Sequence, residues 1–186
     1  MSEAATHSPA VRPGTLGWEV RPARPEDAPA IAAAVRELLV ELGATSPPSR
    51  DAIEAEARAH IDDPSLGIVL VAAVTAGDPA VSSHLSPTIG ANCELTGVLT
   101  ASWARAVQVP GRMLTIEVLW TRREWRDGGV GAALVEALAA AAAAEGVGRV
   151  EVGLPRESFA ALRATERFYL VNGFERLGPR MRKVLR

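Results

Sequence analysis

The feature that most constrains this chain is a strand that runs through glycines into a helix. Ile116-Glu117-Val118-Leu119-Trp120-Thr121 has the composition of a strand, Arg126-Asp127-Gly128-Gly129-Val130-Gly131 follows, and an alanine-rich helix then continues to about Glu145 before Gly146. A helix start leaves its first N–H groups without partners in the helix, and glycine lets an anion come close to them. A pyrophosphate suits such a turn. The stretch lacks the Lys-Ser/Thr ending of a P-loop. Gly129-Val130-Gly131 begins a dinucleotide-type pattern, but Leu134 stands where that pattern requires a small residue.

The surrounding elements set the fold class. Trp18 to Arg21 alternates as a short strand, and Arg24-Pro25-Glu26-Asp27 opens a helix with apolar residues Ile31, Val35, Leu38, Leu39 and Leu42, stopped by Gly43. Ser49 can cap a second helix reaching about Ile61. Gly67 to Val74 and Leu95 to Ala106 read as strands joined by the long polar connection Thr75 to Glu94, and Met113 to Thr121 is a further strand. After the glycine turn and its helix come a strand from Arg149 to Leu154, a helix from about Ser158 to Asn172, and short strands near Phe174 to Leu177 and Met181 to Leu185. Hairpin-joined strands early and a strand, helix, strand crossover late predict an α/β (α+β) fold: a mixed central sheet with helices on its faces.

Composition removes several function classes. With 20 Lys+Arg against 22 Asp+Glu the net charge is −2, so no excess of positive charge favours nucleic acid. Cys93 is the sole cysteine, which excludes an internal disulfide, and no His or Cys grouping spells out a metal site. His60 reads as part of a solvated helix face, and His7 and His84 fall in loops. No apolar run reaches the roughly 20 residues of a membrane helix. Residues 1–17 carry no signal-peptide pattern and read as a disordered tail, leaving 18–186 as one domain expected in the cytoplasm.

Arg126-x-x-Gly129-x-Gly131-Ala132 after its strand resembles the coenzyme A pyrophosphate loop of the GNAT superfamily of acyl-CoA-dependent N-acyltransferases. Phe168-Tyr169-Leu170-Val171-Asn172-Gly173-Phe174, about forty residues on, is similar to that family's F-Y-x-x-x-G-F signature, and Val20-Arg21-Pro22-Ala23 with Glu26-Asp27-Ala28 looks like its first strand and helix entry. The resemblance implies a mostly antiparallel sheet with a splay between the strands Met113 to Thr121 and Arg149 to Leu154, into which the pantetheine arm inserts.

The resemblance further implies acetyl-CoA as co-substrate and an amine as acceptor, either a small molecule or a peptide N-terminus, attacked directly in a ternary complex. Leu119, Trp120 and Thr121 would offer main-chain groups to the pantetheine arm. Arg126, Asp127, Gly128, Gly129, Val130, Gly131 and Ala132 would hold the pyrophosphate. Tyr169, the sole tyrosine, takes the family position that protonates the departing thiolate, against the alternative of a core aromatic. Glu117 stands where relatives carry the base that deprotonates the amine; an ordinary solvent-facing strand acid is the other reading, and Glu151 is a second candidate. Leu162 occupies a position where relatives often carry Asn near the pantetheine, and Ser158 reads as a substitute there or as a helix cap. The acceptor is expected between the helices Ile31 to Ile61, the connection Thr75 to Glu94 and the final strands. Relatives are often dimers, so a homodimer is a further expectation. A non-catalytic acyl-CoA sensor with the same loop is the rival function.

Overall fold

The computed structural model describes residues 17–75, 94–107 and 109–178. The strands are β1 (Trp18–Pro22), β2 (Gly67–Val74), β3 (Leu95–Ala106), β4 (Val109–Thr121) and β5 (Val150–Val152), and the helices are α1 (Ala28–Glu41), α2 (Arg50–Asp62), α3 (Val130–Ala144) and α4 (Leu162–Val171). They build a five-stranded sheet in the order β1-β2-β3-β4-β5, antiparallel as far as β4 and parallel between β4 and β5. This is the mixed sheet flanked by helices that the element order predicts, mostly antiparallel as the resemblance implies.

Two apolar layers fix the helices to the sheet. On one face α3 sets Val130, Leu134, Leu138 and Ala142 against Leu70, Ala72, Leu99, Ala101, Leu114 and Ile116. On the other, Ile31 and Ala34 of α1 and Ala57 of α2 meet Val69, Val71, Ala73, Val98 and Trp120. Adjacent residues of β2 therefore serve opposite layers, which is why its sequence is continuously apolar instead of alternating. Gly97 of β3 lets α3 lie close: a Cβ there would stand 2.7 Å from Val130 Cγ1 and 2.8 Å from Leu134 Cδ1.

The elements depart from the sequence reading in three places. The first turn expected of α1 is a 3-10 turn, Pro25–Asp27, because the Asp27 carboxylate is committed to the Arg24 N–H at 2.7 Å and to Arg21 at 2.7 and 3.0 Å. α4 begins at Leu162 and not near Ser158; two successive turns, Phe159 N–H to Arg156 carbonyl and Leu162 N–H to Phe159 carbonyl, occupy the chain before it. Residues 174–178 carry no strand. Phe174 instead folds back, its N–H donating to the Tyr169 carbonyl and its ring meeting Tyr169 edge-on. The expected strand Met181 to Leu185, the tail 1–16, residues 76–93 of the long connection with Cys93 and His84, and His7 lie outside the described residues.

Candidate active site

β4 is gripped on both sides over three residues only. Leu114, Thr115 and Ile116 pair with Val150, Glu151 and Val152 of β5, and past Ile116 that side of β4 has no strand partner among the described residues. On the β3 side the register slips by one, with Ala101 opposite Ile116 and Thr100 opposite Val118. Glu117 is the extra residue of this bulge. It is exposed, and its side chain makes no hydrogen bond or ion pair among the described residues.

The bulge also decides which peptide groups face the gap. Arg122 N–H donates to the Thr96 carbonyl at 2.9 Å, and main-chain direction alternates along an antiparallel pair. Trp120 and Val118 therefore turn their peptide groups to Val98 and Thr100 of β3, while Leu119 and Thr121 turn theirs to the open side. The expectation that Trp120 offers main-chain groups to a ligand is thus corrected by the ladder. Its ring is buried in the α1 layer, with the Arg122 guanidinium 5.9 Å from the ring centroid and its indole N–H without a partner among the described residues.

Beyond β4 a 3-10 turn, Arg123–Trp125, leads into the glycine segment. Asp127 adopts φ 63° and Gly129 φ 83°, both left-handed. Aspartate tolerates that region better than most side chains, which is how a non-glycine residue sits here. Val130 then begins α3 with its side chain sunk in the core. The N–H groups of Asp127, Gly129, Val130, Gly131 and Ala132 have no acceptor among the described residues, whereas that of Gly128 is taken by the Trp125 carbonyl at 3.3 Å. A Cβ on Gly129 would meet nothing within 4 Å, so the segment opens outward; one on Gly131 would press on the Phe168 ring at 3.3 Å. Left-handed residues beside a helix N-terminus make a concave array of N–H donors suited to an anion.

Arg126 is placed differently from the expectation of a free phosphate hand. Its two terminal nitrogens fork onto the Glu41 carboxylate at 2.9 and 2.7 Å, and its Nε donates to the Thr121 carbonyl at 3.2 Å. The hydrogen bond to Arg126 holds the Glu41 carboxyl below its usual range, and the same bond raises the guanidinium. Glu41 ends α1, the negative end of a helix, where a carboxylate is unfavourable unless a cation answers it. That misplaced acid was the sequence signal for this contact, and the sequence reading passed over it. Glu41 also walls an open cleft of about 460 Å³ together with Leu42, Gly43, Arg156, Ser158 and Phe159.

On α4, Tyr169 lies in the α3 layer, 7 % exposed, its ring edge-on to Phe168 and Phe174 at 5.2 Å each. Burial pushes its hydroxyl up to about 12, and the hydroxyl has no hydrogen-bond partner among the described residues. A buried tyrosine usually finds one, so this oxygen is available to a bound molecule. Glu151 pairs with Arg149 at 3.6 Å. Ser158 forms no cap on α4, which starts four residues later without a side-chain cap. Among the described residues no cluster of His, Cys, Asp or Glu could hold a metal ion, and no helix is long and apolar enough to cross a membrane.

A sheet opened beside a helix start with donors unpaired among the described residues is an arrangement suited to an extended, anion-bearing ligand. The chain belongs to the acetyltransferase (GNAT) family, whose model matches residues 52–174. Solved structures agree in fold. A putative acetyltransferase from Arthrobacter sp. FB24 is 21% identical with a TM-score of 0.62, over 99% of this chain and 96% of that one. An aminoglycoside acetyltransferase from an uncultured soil metagenomic sample, solved with sisomicin, is 16% identical with a TM-score of 0.63, over 91% and 97%. Glucosamine-6-phosphate N-acetyltransferase from Arabidopsis thaliana is 13% identical with a TM-score of 0.63, over 91% and 99%. No protein of curated function matches the chain in sequence.

Proposed function

We propose that the protein is an acetyl-CoA-dependent N-acetyltransferase that moves an acetyl group to a primary amine by direct attack in a ternary complex. The observation that carries this reading is the pairing of two main-chain arrays: the open side of β4 at Leu119 and Thr121, where the Thr121 carbonyl is held by Arg126 Nε, and the N–H groups of Asp127 and Gly129 to Ala132, which have no acceptor among the described residues. The second suits a pyrophosphate, through the helix dipole and direct donors. The first suits the amide-bearing pantetheine arm, which can pair with a strand edge as another strand would.

In this reading the amine nitrogen attacks the thioester carbonyl, a C–N bond forms, the C–S bond breaks and coenzyme A leaves as a thiolate. The Leu119 N–H polarises the carbonyl oxygen, an oxyanion-type contact that strengthens as charge develops. Glu117 accepts the amine's proton, directly or through water; its exposed position in the bulge, between the gripped and open parts of β4, supports that role. Tyr169 supplies a hydrogen bond to the departing sulfur. With its hydroxyl pushed up to about 12 and a thiol near ~8.5, complete proton transfer to the thiolate is uphill by roughly a thousandfold, so the hydroxyl acts as a donor that keeps its proton. A cytoplasmic setting accords with the use of acetyl-CoA, and the amine enters from the side of α1 and α2.

Calorimetric titration with coenzyme A and a free-thiol release assay over a panel of amines test the reading. Binding together with amine-dependent thiol release supports it. Binding without release for any amine favours the acyl-CoA sensor, and failure to bind coenzyme A overturns both.

A further inference from the structure

Arg126 has two claims on it. Its forked donors, which match the oxygen pair of a carboxylate or a phosphate equally well, are held by Glu41 at 2.9 and 2.7 Å. The same residue borders the array of free N–H groups that begins at Asp127. The pair is 37% and 30% exposed at its side chains, so water screens it and its worth falls within about 0–1 kcal/mol. Such a pair can change partners at little cost, as a buried one could not. A pyrophosphate resting on Asp127 to Ala132 would bring negative charge beside the Glu41 carboxylate, and only one of the two anions can have the fork.

We propose that Glu41 is a positioning residue that occupies the place of the cofactor's pyrophosphate on Arg126 and gives it up when coenzyme A binds. This rests on the coenzyme A reading above. Before binding, the Glu41 contact keeps the Arg126 side chain ordered across the end of β4, with Nε on the Thr121 carbonyl. After the exchange the Glu41 carboxylate is released at the wall of the cleft formed with Leu42, Gly43, Arg156, Ser158 and Phe159. The cofactor thereby changes the charge of that cleft.

The test is a gain of affinity, which damage to the fold does not produce. Glu41→Gln keeps the helix end and the side-chain shape but removes the competing charge. Calorimetry should show coenzyme A binding tightened about five-fold, the size of one exposed ion pair. The KM for acetyl-CoA should fall while kcat holds. Glu37 acts on Arg126 through charge alone, so Glu37→Gln controls for simple loss of negative charge and should change the affinity less than two-fold. In an Arg126→Gln background, where no cation is left to exchange, Glu41→Gln should gain less than two-fold. Unchanged or weaker binding in Glu41→Gln, or an equal gain in Glu37→Gln, overturns the exchange while leaving the acetyltransferase reading intact. If wild-type protein fails to bind coenzyme A, the functional reading falls and takes this inference with it.

Discussion

The two halves of β4 are built for different purposes. From Leu114 to Ile116 the strand is hydrogen-bonded on both sides, and Leu114 and Ile116 are sunk in the α3 layer. From Glu117 to Thr121 it keeps β3 but has no strand neighbour on the β5 side among the described residues, and its side chains are mostly half-buried. A buried unpaired peptide group costs about as much as a lost hydrogen bond, so an opening inside a sheet persists only where a ligand or water completes it. The first half holds the sheet together and the second leaves an open strand edge, which the proposed function fills with the pantetheine arm.

Substitutions should separate the halves. Leu114→Ala in the gripped half removes a fully buried side chain and should cost about 2–5 kcal/mol of stability in denaturant unfolding, with coenzyme A affinity retained by the folded fraction. Equal loss of affinity in that fraction would mean the halves are not independent. Gly129→Glu should do the opposite. It places a side chain at φ 83° and a carboxylate beside the donors, so coenzyme A binding should weaken at least about a hundredfold by calorimetry, while the strain of roughly 1–2 kcal/mol leaves the protein folded.

Tyr169→Phe should leave binding unchanged and lower kcat by about ten- to a hundredfold, at the low end of general-acid contributions, because the hydroxyl assists without giving up its proton. Unchanged kcat would remove Tyr169 from the chemistry. Its raised pKa also fixes a sign: the protonated hydroxyl is the working form, so between pH 6 and 10 wild type and Tyr169→Phe should share one pH profile, the tyrosine adding no alkaline decline until pH approaches about 12. The smallest effect is expected from Gly131→Ala, whose Cβ would press the Phe168 ring at 3.3 Å; a few-fold rise in the KM for acetyl-CoA would show that α3 and α4 share the work of shaping the open half.

Most of the sheet was legible in the sequence because apolar runs such as Gly67 to Val74 need no distant information. The left-handed turn into α3 was legible for the same reason: its backbone demands are local. What escaped notice depends on pairing across the fold. A bulge is invisible until Thr100 and Ala101 are set against Val118 and Ile116, and without it the directions of the Leu119 and Trp120 peptide groups cannot be assigned. The short β5 likewise follows from where β4 stops pairing, and the Glu41 contact spans 85 positions. Tyr169 was legible as a motif, but its buried ring and unpartnered hydroxyl follow from its packing with Phe168 and Phe174.

The array at Asp127 to Ala132 is made of peptide groups, and this sets how the chain can drift. No side-chain exchange other than proline deletes an N–H, so point mutation removes the donors only by bulk, charge or a changed backbone angle. The mutational target is then small: a left-handed position at Gly129 and room at Gly131. The surrounding residues, including those that face the acceptor, are free to change. The fold alone is shared with acetyltransferase structures at 13–21% identity; under the proposed function, one such cradle would serve different amines.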